Sequence, residues 1–414
     1  MRKIILCIIT LSFLLIQVNF ICVLSYAQKL QDSEQTDSRL LLTDTDYYAG
    51  FYSSILCDSY NNIYVGEITK FVSTEYGTTY RAYAGSLTTP ISGQFPFSNV
   101  NFLKLSIAVN SKEKIYGCVD QGTGICFSDV HNSSVIKAIT NSGIDSLTLK
   151  INSTNAYNII FTDSTTHKIA RYYTSNLQSS WLYESIPNNS DECYYSSFFI
   201  DVKDGLHICY YDANKSDLKY LFLDKNGWNL TTIESIGDVG RDSSITVDNL
   251  LGVHVAYINT TGVNSGNLKY AFKPLNGTWQ NITLGKAIDK KTSICVDNLN
   301  NTHIAYFNDA GLSYFNISNN KTITNRTIYS NHADYQSITV DKDRTVYISF
   351  QDQFCNFVYA KNCRGSDLWK LYTIDAYRHT HNDSPPVNSE YPMVIILVFS
   401  IILVVYYKKY QNRK

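Results

Sequence analysis

The sequence predicts an all-β chain: a seven-bladed β-propeller of four-stranded antiparallel blades, plus one C-terminal transmembrane helix. Three observations predict it. A unit of about 47 residues recurs seven times without an intervening linker. The composition favours strands, with 33 Tyr, only 2 Met and no heptad or long amphipathic helix pattern. An apolar run near the end of the chain is followed at once by basic residues.

The repeat is anchored on an Asp or Asn at Asp58, Asn110, Asn152, Asp201, Asp248, Asp297 and Asp341. Four residues before each anchor stands a small hydroxyl residue: Ser54, Ser106, Thr148, Ser197, Ser244, Ser293 and Ser337. Large apolar residues occupy the third place before it and apolar residues the place just before it, as in Ile245 and Val247. This alternation is a strand that ends at a turn residue. Six places after the anchor come Tyr64, Tyr116, Asn158, His207, His254, His303 and Tyr347, which open a second, returning strand. Third strands follow, such as Leu218-Lys219-Tyr220-Leu221, and fourth strands begin near Trp181, Trp228, Trp279 and Trp369. Seven such units, evenly spaced, favour a closed ring over an open stack, because radial packing protects the sheet edges. Two segments compete for the outer edge of the last blade: Leu40 to Tyr48, which would staple the ring shut, and Leu368 to Ile374.

The chain divides into a signal peptide (1–27), an N-terminal lead and possible closing strand (28–53), the propeller (54–375), a linker (376–391), a transmembrane helix (392–407) and a basic cytoplasmic tail (408–414). Arg2 and Lys3 precede an apolar run to Leu24, and Ser25-Tyr26-Ala27 supplies small residues for cleavage. At the other end Pro392 to Tyr407 is apolar, and Lys408, Lys409, Arg413 and Lys414 hold the tail inside. The expected location is the cell membrane, single-pass, with the propeller outside.

Two resemblances sharpen this reading. Ser389-Glu390-Tyr391-Pro392, a short apolar helix and a basic end resemble the C-terminal sorting signals of archaeal surface proteins. The repeat, seen best in Val247-Asp248 to His254-Val255-Ala256-Tyr257 and in Val296-Asp297 to His303-Ile304-Ala305-Tyr306, resembles archaeal and bacterial cell-surface propellers of the broad sialidase-like type. That resemblance implies fold and leaves function open, since propellers host unrelated activities.

The formal net charge of −1 leaves no basic stripe to displace counterions from phosphate, so no nucleic-acid partner is expected. His207, His254 and His303 occupy one repeat position in consecutive units, which separates them too far for a shared metal. No metal or cofactor is expected, and these histidines read as blade residues. Asp163, Asp212, Asn259, Asn308 and Asp352, eleven places after the anchors, read as turn formers through side-chain hydrogen bonds. The Phe-Arg-Ile-Pro motif and Asp boxes of sialidases are absent, and no nucleophile elbow, phosphate loop or metalloprotease motif appears.

An exported chain can form disulfides. Cys118 and Cys126 flank Asp120-Gln121-Gly122-Thr123-Gly124, and a hairpin centred on Gly122 would set them opposite each other as a disulfide. Cys57, Cys209 and Cys295 stand at packing positions. Asn132, Asn214, Asn229, Asn276, Asn281, Asn316 and Asn325 head Asn-x-Ser/Thr sequons and are glycosylation candidates.

The expected function is recognition: an anchored extracellular propeller that binds a glycan or a surface protein. A polysaccharide-acting hydrolase or lyase is the first alternative and a structural envelope component the second. Loops from strand four to the next strand one share a face with those joining strands two and three. Tyr195, Asp191, Glu192, Arg241, Asp242, Asp334 and Tyr335 on that face are the candidate ligand-binding residues, because Tyr faces stack on sugar rings and carboxylates accept their hydroxyls. No residue is assigned a catalytic role.

Overall fold

A computed structural model describes residues 45–73, 77–86, 92–94, 104–120, 124–129, 134–140, 143–187, 192–224, 226–261, 266–288, 291–362 and 368–375. All fall within one compact unit, residues 1–377. The expected signal peptide, linker, transmembrane segment and tail lie outside the described residues, as do Asp191 and Asn132. Among the described residues every regular element is a strand, and no helix is long and apolar enough to cross a membrane.

Each repeat folds into its own four-stranded antiparallel sheet of consecutive strands, and seven such sheets follow one another along the chain. The first strand of each sheet lies innermost and touches the first strand of the next sheet. These inner strands are Thr45–Cys57, Lys104–Val109, Ile144–Ile151, Cys193–Ile200, Val239–Val247, Ser293–Val296 and Ala333–Val340. The architecture is a β-propeller.

The anchor residues make the turn that the alternation requires. Asp201 Oδ1 accepts from the N–H groups of Lys203 (2.7 Å) and Gly205 (2.8 Å), and Asp248 Oδ1 accepts from those of Leu250 (2.8 Å) and Gly252 (2.7 Å). Such side-chain caps hold a tight turn without a strand partner. The third residue after every anchor is left-handed: Asn61, Glu113, Asn155, Asp204, Leu251, Asn300 and Arg344. Seven independent sequences thus adopt one backbone path. The second series behaves likewise; Asp163, Asp212, Asn259, Asn308 and Asp352 each accept from the N–H two residues on.

The other Oδ atom of all five Asp anchors faces the returning strand, and Asp58 and Asp341 accept the hydroxyls of Tyr64 (3.0 Å) and Tyr347 (3.3 Å) there. His207 Nε2 lies 3.0 Å from Asp201 Oδ2, and its Nδ1 lies 2.7 Å from the Tyr220 hydroxyl. His254 repeats this with Asp248 (3.1 Å) and Tyr270 (2.7 Å). His303 bonds Tyr314 at 2.6 Å and stands 3.5 Å from Asp297. All three histidines are buried, each inside its own sheet, so they are blade residues as expected.

Adjacent sheets meet through apolar layers, and the four tryptophans mark them. Trp181 of the third sheet packs edge-on against Phe127 of the second at 5.1 Å, Trp279 against Tyr220 at 5.2 Å, and Trp369 against Tyr314 at 5.0 Å. Trp228 instead donates its indole N–H to Glu184 of the preceding sheet at 2.7 Å. A ring of this size buries on the order of 150–250 Å², so each spans the gap between neighbouring sheets. Ile55, Ile63 and Val65 of the first sheet form one cluster with Tyr347 and Phe357 of the last.

Of the two segments weighed for the outer edge of the last sheet the second is used, and one expectation, the disulfide, is corrected. Thr45–Cys57 is a single strand of the first sheet, its leading residues pairing with Phe71–Ser73, so residues 45–48 do not close the last sheet. That sheet is completed by its own Trp369–Asp375, which pairs with Phe357–Asn362. Cys118 and Cys126 form no disulfide, and both are free and buried. The register pairs Cys118 with Phe127 and Val119 with Cys126. An offset of one residue sends the two thiols to opposite faces of the hairpin. Burial pushes the Cys126 thiol up to about 11 and raises that of Cys118 as well.

Candidate functional site

The inner strands are laced together by side chains at two repeat positions. The hydroxyl four places before the anchor accepts a backbone N–H from the next sheet: Ser106 from Leu149 (2.9 Å), Ser197 from Ile245 (3.2 Å), Ser293 from Ile338 (3.1 Å) and Ser337 from Ile55 (3.3 Å). The residue five places before the anchor reaches back to a carbonyl of the preceding sheet. Ser243 donates to Tyr195 O (3.1 Å), Thr292 to Asp242 O (2.6 Å), Gln336 to Lys291 O and Ser53 to Tyr335 O.

Those accepting carbonyls define the site, because each belongs to the residue six places before an anchor. This position falls where the inner strand starts, at the face opposite the Asp turns. Lys104, Ser146, Tyr195, Asp242, Lys291 and Tyr335 occupy it in the second to seventh sheets. In the fourth, fifth and seventh sheets the strand bulges there, between Tyr194 and Ser197, Arg241 and Ser244, and Asp334 and Ser337. Tyr195, Asp242 and Tyr335 are left-handed, with φ of 52°, 48° and 59°. A non-glycine residue pays of the order of 1 kcal/mol or more for this conformation. Bulges re-aim a side chain, and they cluster next to binding sites.

Around Tyr195 a continuous patch forms. Tyr194 packs at a tilt against His167 at 4.6 Å, and Tyr195 lies 6.4 Å from Tyr194 and 6.2 Å from Tyr211. Arg241 lies over the Tyr211 ring at 5.2 Å and pairs with Asp238 at 3.2 Å. Asp238 also accepts the hydroxyls of Tyr211 and Thr260, each at 2.8 Å. Burial raises the Asp238 carboxyl, but those hydroxyls and Arg241 outweigh it and hold it below the usual carboxylate range. Arg241 therefore braces the patch.

The structure thus brings Tyr195, Arg241 and Asp242 together on the fourth and fifth sheets, with Glu192 exposed beside them. Asp334, 3.4 Å from His332, and Tyr335 stand apart on the seventh sheet. Sequence reasoning missed Lys104 and Lys291, which share the position of Tyr195 and Asp242. Lys104 begins the inner strand of the second sheet, and Lys291 stands two residues before that of the sixth. Counting back six from each anchor finds these lysines, although the residue type varies there.

A concavity of about 440 Å³ lies elsewhere, between the third and fourth sheets, and includes Arg171, Asn158 and Asp204. Arg171 is already committed to Asn158 Oδ1 (2.7 and 3.0 Å) and Glu184 (3.1 Å), and it lies 4.0 Å over the Tyr173 ring. Its cation serves the join between strands. Among the sequon residues, Asn214, Asn229, Asn276, Asn281 and Asn325 are exposed, whereas the Asn316 amide donates to the Tyr314 hydroxyl at 3.2 Å.

No family model matches this chain, and no curated protein matches it in sequence. Solved structures are similar in fold. BP39L lectin from Burkholderia pseudomallei shows 10% identity and a TM-score of 0.54, over 81% of this chain and 99% of that one. Aleuria aurantia lectin gives 9% and 0.47, over 67% and 98%. The NanB sialidase of Streptococcus pneumoniae gives 10% and 0.43, over 73% and 65%. At such identities the likeness is one of fold.

Proposed function

We propose that this chain is a cell-surface glycan-binding protein whose ligand seats at the mouth formed by the starts of the inner strands. The observation that carries this is the repeated left-handed bulge, which aims Tyr195, Asp242 and Tyr335 from three sheets at one register. Bulges and left-handed residues are found next to binding sites, where they re-aim a side chain. Tyrosine faces and acid groups together suit a sugar ring. A mouth lined by short side-chain bridges suits a saccharide better than the broad, flat face of a protein partner.

In this reading the seven sheets are the seven blades of one closed ring. Support comes from Ser53 and Ile55 of the first sheet, which bond to Tyr335 and Ser337 of the last. Residues 1–27 export the ring, 392–407 anchor it, and exposed sequon asparagines such as Asn229 and Asn281 carry glycans. The test is a glycan array probed with the full-length protein in detergent micelles, alongside its Tyr195→Ala and Tyr335→Ala variants. Saturable binding to a defined saccharide, weakened in both variants, supports the proposal. Multiple-turnover release of sugar from a bound polysaccharide would replace it with the hydrolase reading.

A further inference from the structure

The join between the third and fourth sheets breaks the repeat. Across from the residue eight places after the anchor, the third strand carries an aromatic ring in the second and the fourth to seventh sheets: Phe127, Tyr220, Tyr270, Tyr314 and Tyr359. In the third sheet it carries Arg171, opposite Ile160. Two neighbouring positions change with it. Where the next three sheets hold a histidine the third holds Asn158, whose Oδ1 accepts from Arg171 Nε (3.0 Å) and Nη2 (2.7 Å). The other three tryptophans pack on the ring of the preceding sheet, whereas Trp228, facing a sheet that lacks it, donates to Glu184, which also accepts from Arg171 Nη1 at 3.1 Å. The concavity of about 440 Å³ opens at this same join, with Asn158 and Arg171 in its wall.

A gap that only needed filling is filled elsewhere in the ring by the aromatic side chain, without burying a charge. Arg171 is 13% exposed, and three of the five N–H groups of its guanidinium join the strands. The remaining two, one on each terminal nitrogen, have no partner among the described residues, and Arg171 lines the concavity. Leu206 and Phe222 add apolar surface to the same wall. Its cations, Arg171 and Lys203, stand against the carboxylates of Asp201, Asp204 and Asp224, so the charges nearly cancel and a neutral ligand is favoured over an ion. Hydroxyl groups both donate and accept, which matches guanidinium donors set among carboxylate acceptors, and the C–H surface of a sugar ring suits the apolar wall. The volume falls within the ~300–1,000 Å³ of small-molecule sites. We infer that the cleft between the third and fourth sheets is a second saccharide site, which takes one neutral hexopyranose unit with Arg171 donating to its hydroxyls. It lies beside the Asp turns, at the other end of the strands from Tyr195, and stands independently of the reading of the mouth.

The experiment titrates the full-length protein in detergent with the methyl α- and β-pyranosides of glucose, galactose and mannose, read by ligand-observed saturation-transfer NMR. At least one glycoside is expected to bind saturably. Arg171→Lys keeps a cation beside Glu184 and loses the planar fork, so it should weaken that binding by about tenfold or more, the scale of one hydrogen bond to a charged group. Asn158→His combined with Arg171→Tyr restores the His–Tyr pair of the fourth and fifth sheets. This double variant should keep the native thermal midpoint or exceed it, and it should abolish the binding. Tyr195→Ala should leave the binding unchanged. Absence of binding to all these glycosides, or native affinity in both Arg171 variants, overturns the inference and leaves the mouth untouched. Binding lost in Tyr195→Ala and kept in the double variant also overturns it, and assigns the sugar to the mouth.

Discussion

The backbone N–H of Ile55 donates to the hydroxyl of Ser337 at 3.3 Å, across a sequence separation of 282 residues. The same bond joins Ile245 to Ser197 and Ile338 to Ser293 within the ring. Ser337→Ala leaves a partly buried donor without its partner and should cost about 1–3 kcal/mol. Ser197→Ala should cost a similar amount. Urea unfolding of both variants checks this; a Ser337→Ala midpoint equal to the native one would show that the seam does not depend on the hydroxyl.

His254 sits between Asp248 and Tyr270 with both ring nitrogens engaged, and it is buried. His254→Ala opens a cavity and strands the Asp248 carboxylate, so a loss of about 3 kcal/mol is expected. Ligand affinity of the protein that remains folded should stay at the native value. A selective loss of binding at unchanged stability would move His254 from the blade to the site.

Stability should fall on acidification in a defined window. Burial raises the Asp297 carboxyl, but the neighbouring His303 and hydrogen bonds from Asn301 outweigh it and hold it at about 2. Asp58, Asp201 and Asp248 are also held below the usual range. An unfolded Asp titrates near ~3.9, so the unfolded chain binds protons first as pH drops. The stabilisation is complete above about pH 4 and is lost toward pH 2. Thermal midpoints should decline across that interval, less steeply in Asp297→Asn, which keeps the turn acceptor and lacks the charge.

Cys118 and Cys126 should behave as two buried thiols. Reducing agent should leave the thermal midpoint unchanged, and maleimide should label them only after unfolding. A linked peptide in an unreduced digest would contradict the register that sets Cys118 beside Phe127.

Strand order and turn positions were legible because period-two alternation and the Asp anchors are local. Asp201 and Asp248 make their turns with residues two and four places away, so the whole device sits in one stretch of sequence. The Ser series was equally visible, yet its role was not, because each hydroxyl acts on a strand about one repeat further along. The cysteine pair failed for a narrower reason. Strand pairing resumes at Asp120 and Ile125, and that even number of intervening residues moves one thiol to the other face. At the site, Tyr195, Asp242 and Tyr335 were readable as loop-face polar and aromatic residues. Lys104 and Lys291 were not, since nothing local tells a lysine at a ring mouth from one in solvent.

Among the described residues no strand passes from one end of the chain to the sheet at the other end. Each sheet is a continuous stretch, and the join between the last and the first uses the same kinds of bond as the joins between neighbours. The closing joint is thus chemically interchangeable with the interior ones. A ring assembled this way has no privileged starting unit. Its ends could be relocated by circular permutation to a loop between two other sheets, and whole units could be gained or lost by duplication without redesigning a dedicated latch.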